Sequence, residues 1–478
     1  MVRFIDIDDV RLQVNARLDQ NNKSKLGQFM TPSVIADFMA NLFDDNAQKV
    51  KLLDCGAGIG SLSISAIKKL KNISISHLWE IDPIMLEQLK INMDSMGIHF
   101  SIFEKDFISA AVENILSSNG ERYTHAIINP PYKKINSSSG HRKELKKVGV
   151  ETVNLYSAFF ALTIMLMEKG GQVVAIIPRS FCNGPYYKPF REILLKKCSI
   201  EHIHIFESRN KAFKDDGVLQ ENIIIKIRKG GQQNDVVISQ SDDHEFHDYK
   251  ENIVQFTNVV KSNDSELFIR IPTGEQQTNN NIFQVPLSQL GLNVSTGPVI
   301  DFRMKPYLEK QPIDGAVPLI YPHHFANGQF EYPKEHKKPN AILVSPESQK
   351  WLMPNDGYYV IVKRFSAKED KRRVVAYVIN PDEIGKENQW LGFENHWNVF
   401  HIKKHGFDKI TAMGLACFLN STILDAHFRV FSGHTQVNAT DLKNIHYPSI
   451  EILHELGKSY QTKMKQEQVD TLLAGVIN

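Results

Sequence analysis

The most specific chemical signal in the sequence is Ala126-Ile127-Ile128-Asn129-Pro130-Pro131-Tyr132. Proline lacks an N–H, so Pro130 and Pro131 end a strand ladder and fix the backbone direction. Asn129 then places a side-chain carbonyl beside the Pro130 backbone carbonyl, and Tyr132 offers a flat face. Two acceptors converging beside a stacking surface suit a planar exocyclic NH2 group. The plain alternative is a proline turn after a strand.

Three further groups could serve a nucleoside-like ligand. Asp54-Cys55-Gly56-Ala57-Gly58-Ile59-Gly60 puts glycines where a strand turns into a helix, so a ligand can approach the backbone. No Lys-Ser/Thr follows Gly60, which excludes a Walker loop, and the spacing is offset from G-x-G-x-x-G. Glu80, in Leu78-Trp79-Glu80-Ile81-Asp82, lies 26 positions after Asp54, where a ribose diol would be recognised. Asp106-Phe107 could pair with a purine amino group and cover its ring. Read singly, Glu80 is equally a solvated strand-end carboxylate, and Asp106 a helix cap.

The elements that must position these groups alternate along the chain. Strands are expected at Lys51–Cys55, Ile75–Ile81, Ile98–Phe103, Tyr123–Asn129, Gly171–Pro178, Ile200–Phe206 and Asn222–Arg228. Amphipathic helices are expected at Ser61–Leu70, Ile84–Met96, Leu155–Glu168 and Lys188–Lys197. This alternation reads as an α/β, Rossmann-like sheet, mostly parallel, with its last two strands as an antiparallel hairpin at one edge. Upstream, Thr31 is expected to cap a helix that starts at Pro32-Ser33 and runs to about Phe43. The linker-like Gln276–Asn281 suggests two domains, 1–280 (with 231–275 as a β-rich extension) and 282–478.

With these motifs in order, the chain resembles the class gamma N6-adenine DNA methyltransferases of restriction–modification systems. The resemblance covers residues 24–230 continuously. Gly27-Gln28-Phe29-Met30-Thr31-Pro32 is similar to motif X, which closes over the methionine end of S-adenosylmethionine. Asp54 to Gly60, including Gly56 and Gly58, resembles motif I. Glu80, followed by Ile81, stands at the ribose-binding acid of motif II, and Asp106-Phe107 at the adenine-contacting pair of motif III. Asn129-Pro130-Pro131-Tyr132 is the family's catalytic tetrapeptide. Asn154-Leu155-Tyr156 resembles the helix start that walls the cofactor pocket, and Phe213 sits where the family carries a second aromatic against the extruded base. The departure is Cys55-Gly56-Ala57-Gly58, where many members have a Pro-Ala-Cys-Gly-Ser-Gly type of turn.

The resemblance implies S-adenosylmethionine as cofactor, no metal, and double-stranded DNA as substrate, with methylation at adenine N6. The target base must rotate out of the duplex, at a cost on the order of a few kcal/mol. Hydrogen bonds from N6 to Asn129 and Pro130 would localise its lone pair for attack on the methyl group, with positioning supplying much of the rate. Cytosine C5 chemistry is disfavoured, because that family's nucleophilic Cys follows Pro, whereas Cys55, Cys182, Cys198 and Cys417 follow Asp54, Phe181, Lys197 and Ala416. The same tetrapeptide could serve an RNA or a protein-glutamine methyltransferase. Motif X placed directly before motif I, with a large domain after, favours DNA. The biological role implied is protection from a cognate restriction endonuclease, with an orphan regulatory enzyme as the alternative.

Charge has to be read regionally. The 478 residues carry 56 Lys+Arg and 54 Asp+Glu, a net +2. Residues 1–230, however, hold 31 basic and 25 acidic side chains, against 25 and 29 in the remainder. Six Lys/Arg and one Glu fall within 133–147, so Lys133, Lys134, Arg142, Lys143, Lys146 and Lys147 are expected to form a flexible loop that clamps DNA phosphates. In the C-terminal, target-recognition part, segments 292–303 and 432–442 resemble recognition domains of the group. Arg303, His434 and Gln436 are candidate DNA contacts there, with Lys363-Arg364 and Lys371-Arg372-Arg373 as further basic candidates. His323-His324 lacks a completing ligand set for metal. The widely spaced cysteines, the lack of an apolar run of ~18–20 residues, and an N-terminus without a leader-like pattern lead to the expectation of a cytoplasmic protein with no membrane partner.

Overall fold

The computed structural model describes residues 6–18, 29–44, 49–207, 221–273, 282–326, 329–366, 369–385, 387–433 and 435–477. The chain divides into two compact units, Met1–Gly274 and Glu275–Asn478.

In the first unit, α1 (Ile7–Arg17) and α2 (Ser33–Asn41) precede the alternating part. That part runs β1 (Val50–Cys55), α3 (Ser61–Lys69), β2 (Ile73–Trp79), α4 (Pro83–Asp94), β3 (Phe100–Phe103), α5 (Phe107–Leu116), β4 (Tyr123–Ile128), α6 (Gly140–Lys147), α7 (Leu155–Leu166), β5 (Met167–Pro178), α8 (Lys188–Lys197), β6 (Cys198–Phe206), β7 (Asn222–Lys229), β8 (Val236–Ser241) and β9 (Lys250–Val254). The strands form one sheet in the order β3-β2-β1-β4-β5-β7-β6-β8-β9. Pairing is parallel from β3 to β5 and antiparallel on both sides of β7. This is the expected Rossmann-like sheet, with one difference. The antiparallel pair β6/β7 lies inside the sheet, because β8 adds parallel to β6 and β9 then forms the edge.

Continuous apolar runs are required because both faces of the sheet are covered. Successive side chains alternate between two cores. Leu53, Ile128, Val173 and Ala175 join Phe160, Phe181 and Phe190 on one face. Leu52, Ile127, Val174 and Ile176 join Met39, Leu89 and Met93 on the other.

Two local expectations change. Pro32, not Thr31, occupies the cap position of α2 and makes no side-chain bond. The Asp8 carboxylate of α1 instead accepts from the Ser33 N–H at 3.2 Å and from its hydroxyl. The basic segment 133–147 is not a simple flexible loop, since Gly140–Lys147 is helical and Leu145 is fully buried.

The second unit has a four-stranded antiparallel sheet, in the order Asn293–Thr296, Trp397–His401, Tyr359–Lys363, Ala376–Ile379. A five-stranded mixed sheet is ordered Leu308–Glu309, Ala341–Leu343, Ala316–Ile320, Trp390–Phe393, Met353–Pro354. Helices Lys409–Leu419 and Ile450–Ser459 approach so closely that a Cβ on Gly414 would lie 1.8 Å from the Leu453 carbonyl oxygen. No helix among the described residues is long and apolar enough to cross a membrane.

Candidate active site

Strand order reverses between β1 and β4, and the crevice outside their carboxyl ends is where open α/β sheets bind ligands. Both chemical motifs arrive there, the glycine loop from β1 and Asn129 from β4. A cavity of about 210 Å³ opens between them, with Phe29, Ile81, Phe107, Leu155 and Phe159 among its apolar walls and Glu80, Asp106 and Asn129 among its polar ones.

The floor is the glycine loop. Gly56, Gly58 and Gly60 have φ of 141°, 56° and 91°, which side-chain-bearing residues rarely adopt. A Cβ on Gly60 would also stand 2.9 Å from Leu89. Asp54 lies behind this loop, fully buried, and does not line the cavity. Its Oδ2 accepts from the Ser63 hydroxyl at 2.6 Å, and Oδ1 has no hydrogen-bond partner. Burial pushes its carboxyl up to about 7, against the pull of Ser63.

Glu80 reaches the cavity from the end of β2. Its Oε2 accepts from the Gly58 N–H, and its Oε1 from those of Ile81 and Asp82, all at 2.8 Å. Burial raises its pKa while these three donors favour the anion. The carboxylate thus locks the glycine loop and keeps one acceptor site, on Oε2, for a ligand. Ile81 is half exposed at the mouth, and Phe107 is buried beside Trp79 and Phe159. Asp106 caps α5 through the Ser109 N–H at 2.9 Å and also lines the cavity.

The Asn129 amide nitrogen donates to the Phe29 carbonyl at 2.8 Å and to the Thr31 hydroxyl at 3.0 Å. That fixes the amide and leaves Oδ1 as an acceptor. Pro130 is buried and Pro131 lines the cavity. Tyr132 does not line the cavity. Its hydroxyl donates to the Ile176 carbonyl at 3.2 Å, and its ring packs 5.6 Å from Phe29 and 6.3 Å from Tyr156. Burial holds the phenol far above its usual range, so it is a neutral surface and no base. Asn154 makes no capping bond at α7 but donates to the Tyr187 hydroxyl at 2.5 Å.

Of the basic candidates, Lys133 is exposed at the cavity rim, and Lys134, Lys143, Lys146 and Lys147 are also exposed. Arg142 is tied to the Thr152 carbonyl, and Lys147 pairs with Glu144 at 2.7 Å. In the second unit Arg303 is exposed and lies over the Phe302 ring at 5.5 Å. Gln436 bridges to Phe365. Arg373 is withdrawn from any surface role, being buried with its guanidinium on Ser366 and Ser432. His324 bonds the Tyr321 backbone and Asn340. Among the described residues no group of three or more His, Cys, Asp or Glu is arranged for a metal ion. Gln28, Phe213 and His434 lie outside the described residues.

Sequence reasoning missed Ser63 behind Asp54 and the Thr31 bond to Asn129. It also assigned no role to His141, which lines the cavity. Only the Thr31 bond had a visible signal, the coincidence of a short N-terminal motif with an Asn that must be oriented.

The Eco57I restriction-modification methylase family matches residues 51–213, the stretch that carries the glycine loop, Glu80, Asp106 and Asn129. The Type II methyltransferase M.BsuBI of Bacillus subtilis is 51% identical over 471 residues, covering 95% of this chain and 93% of that protein. The chain belongs to the Type II methyltransferases. M.PstI of Providencia stuartii, another of these enzymes, is 42% identical over 490 residues, covering 98% of this methyltransferase and 96% of that one. The solved type IIL restriction-modification enzyme MmeI, in complex with DNA, aligns with a TM-score of 0.50 at 11% identity, over 98% of this methyltransferase and 73% of that chain. The DrdV–DNA complex aligns with the same score at 12% identity, over 83% and 52%. At such identities the likeness is one of fold.

Proposed function

We propose that this Type II methyltransferase transfers a methyl group from S-adenosylmethionine to the N6 of an adenine rotated out of a specific duplex DNA site. Its role is to protect that site from a cognate restriction endonuclease. The observation that carries the reading is the Asn129 amide, whose nitrogen is committed to Phe29 and Thr31, so that only its oxygen can meet an amino group.

The cavity suits the cofactor. Glu80 retains an acceptor site on Oε2 for a ribose hydroxyl, Asp106 retains lone pairs for an amino group, and Ile81 and Phe107 supply apolar surface for a purine. When bound, S-adenosylmethionine supplies an electrophilic sulfonium methyl group. The chain does the rest by placement. Asn129 Oδ1 and the Pro130 carbonyl accept the two N6–H bonds, which favours a pyramidal nitrogen with a localised lone pair. The Tyr132 ring, tethered through its hydroxyl, provides a stacking face, with Phe213 assigned to the same base. No general base is needed before attack, and Tyr132 is too weakly acidic to ionise. Lys133, Lys134, Lys143 and Lys146 are assigned to phosphates, and Arg303, His434 and Gln436 of the 282–478 part to the target sequence.

The test is nucleoside analysis of duplex DNA after reaction with labelled S-adenosylmethionine. N6-methyladenine in one sequence context is the expected product, and N4-methylcytosine overturns the assignment. Asn129→Ala should lower transfer by roughly 10³-fold or more, with cofactor affinity retained. Full activity in that variant removes Asn129 from the mechanism.

A further inference from the structure

The cavity wall contains one side chain from the basic helix α6, His141. Its Nε2 donates to Asp106 Oδ2 at 3.1 Å, while Asp106 Oδ1 is occupied by the Ser109 N–H. The same helix is anchored by buried Leu145 and by Arg142 on the Thr152 carbonyl, and it exposes Lys143 and Lys146. One short side chain therefore joins the carboxylate that faces the cavity to the helix that carries the exposed cations.

We propose that His141 is a positioning residue that couples cofactor binding to DNA binding. The inference rests on the functional reading above. A ligand filling the cavity meets the His141 ring as part of its wall and shares Asp106 with it, so it narrows the positions open to α6. DNA bound through the α6 lysines narrows the same positions from outside. Ordering one element for two ligands means that whichever binds first reduces the cost of the second, and the coupling must be equal in both directions.

The experiment measures the dissociation constant of a duplex that the wild type methylates, with and without saturating S-adenosylhomocysteine. The reciprocal measurement is S-adenosylhomocysteine affinity by calorimetry, with and without that duplex. The wild type should show mutual tightening on the order of tenfold. In His141→Ala the tightening should fall below about twofold in both directions, while cofactor-free DNA affinity changes by no more than about twofold. His141→Gln, whose amide can still donate to Asp106, should restore part of it. Undiminished tightening in His141→Ala overturns the proposal. So does an equal loss of DNA affinity with and without S-adenosylhomocysteine, which would make His141 a support for α6 alone. A wild type that binds the duplex and S-adenosylhomocysteine without any coupling overturns the proposal but leaves the functional reading standing. A wild type that methylates no duplex and does not bind S-adenosylhomocysteine overturns both.

Discussion

The two units solve the problem of placing polar groups in different ways. In the first, long parallel strands carry the load. β5 alone has 12 residues, and the chemistry is delivered at strand ends, where the ladder stops and side chains are free to turn outward. In the second, the strands of the two larger sheets have between two and five residues, and the connections are pinned by buried polar side chains. Arg373 bonds Ser366 and Ser432, Asn398 bonds the Val437 carbonyl, and Asn420 clasps Ala376 through both its N–H and its carbonyl. A periodic backbone makes the first site robust to side-chain change away from its tips. The second unit depends on single side chains in its interior.

That contrast can be broken most forcefully at Arg373. Arg373→Ala leaves a void and several unpaired polar groups, and should destabilise the second unit by on the order of 3 kcal/mol. Hydrogen exchange should then show lost protection in 359–379 and 397–432, with S-adenosylhomocysteine affinity unaltered. Lost cofactor affinity would erase the distinction between the units. In the first unit the corresponding weak point is at a strand end. Glu80→Ala strips three N–H groups of their acceptor and should weaken S-adenosylhomocysteine binding roughly 10- to 100-fold by calorimetry.

For any single group the effect of pH is smaller. Burial lowers His125 and His202 to about 4 and His204 to about 3, below the unfolded value near 6.5. The unfolded chain therefore takes up protons first, and stability falls as pH drops through 6.5 toward 4. At pH 5.5 the loss is roughly 1 kcal/mol for each buried histidine. Denaturant titrations at pH 7.5 and 5.5 measure it, and equal midpoints would refute it. Smallest is the joint replacement of Lys143, Lys146 and Lys147 by Ala. It should reduce DNA affinity several-fold and lower the logarithmic salt slope by up to about 3, less whatever the Glu144 pairing already withholds from Lys147. An unchanged slope would make the helix a bystander.

The first unit was legible because its signals are local. Alternating apolar runs give the strands, Pro130-Pro131 marks the end of β4, and Gly56, Gly58 and Gly60 mark the turn after β1. Three features were not legible, all for one reason. The Asp8 carboxylate on Ser33, the insertion of β7 between β5 and β6, and the hold of Asp106 on His141 pair residues distant in the chain, and nothing in either segment announces its partner. The second unit was least legible because short strands have no period to read. Arg373 illustrates the trap, since within Lys371-Arg372-Arg373 it looks like a surface cation and is in fact buried.

The anchoring of the Asn129 amide ties two features of the cavity together. The bonds that aim its oxygen are made to Phe29 and Thr31, and Phe29, Met30 and Thr31 also wall the cavity. One short segment therefore both shapes the cavity and orients the amide, so a change at 29–31 alters the two at once.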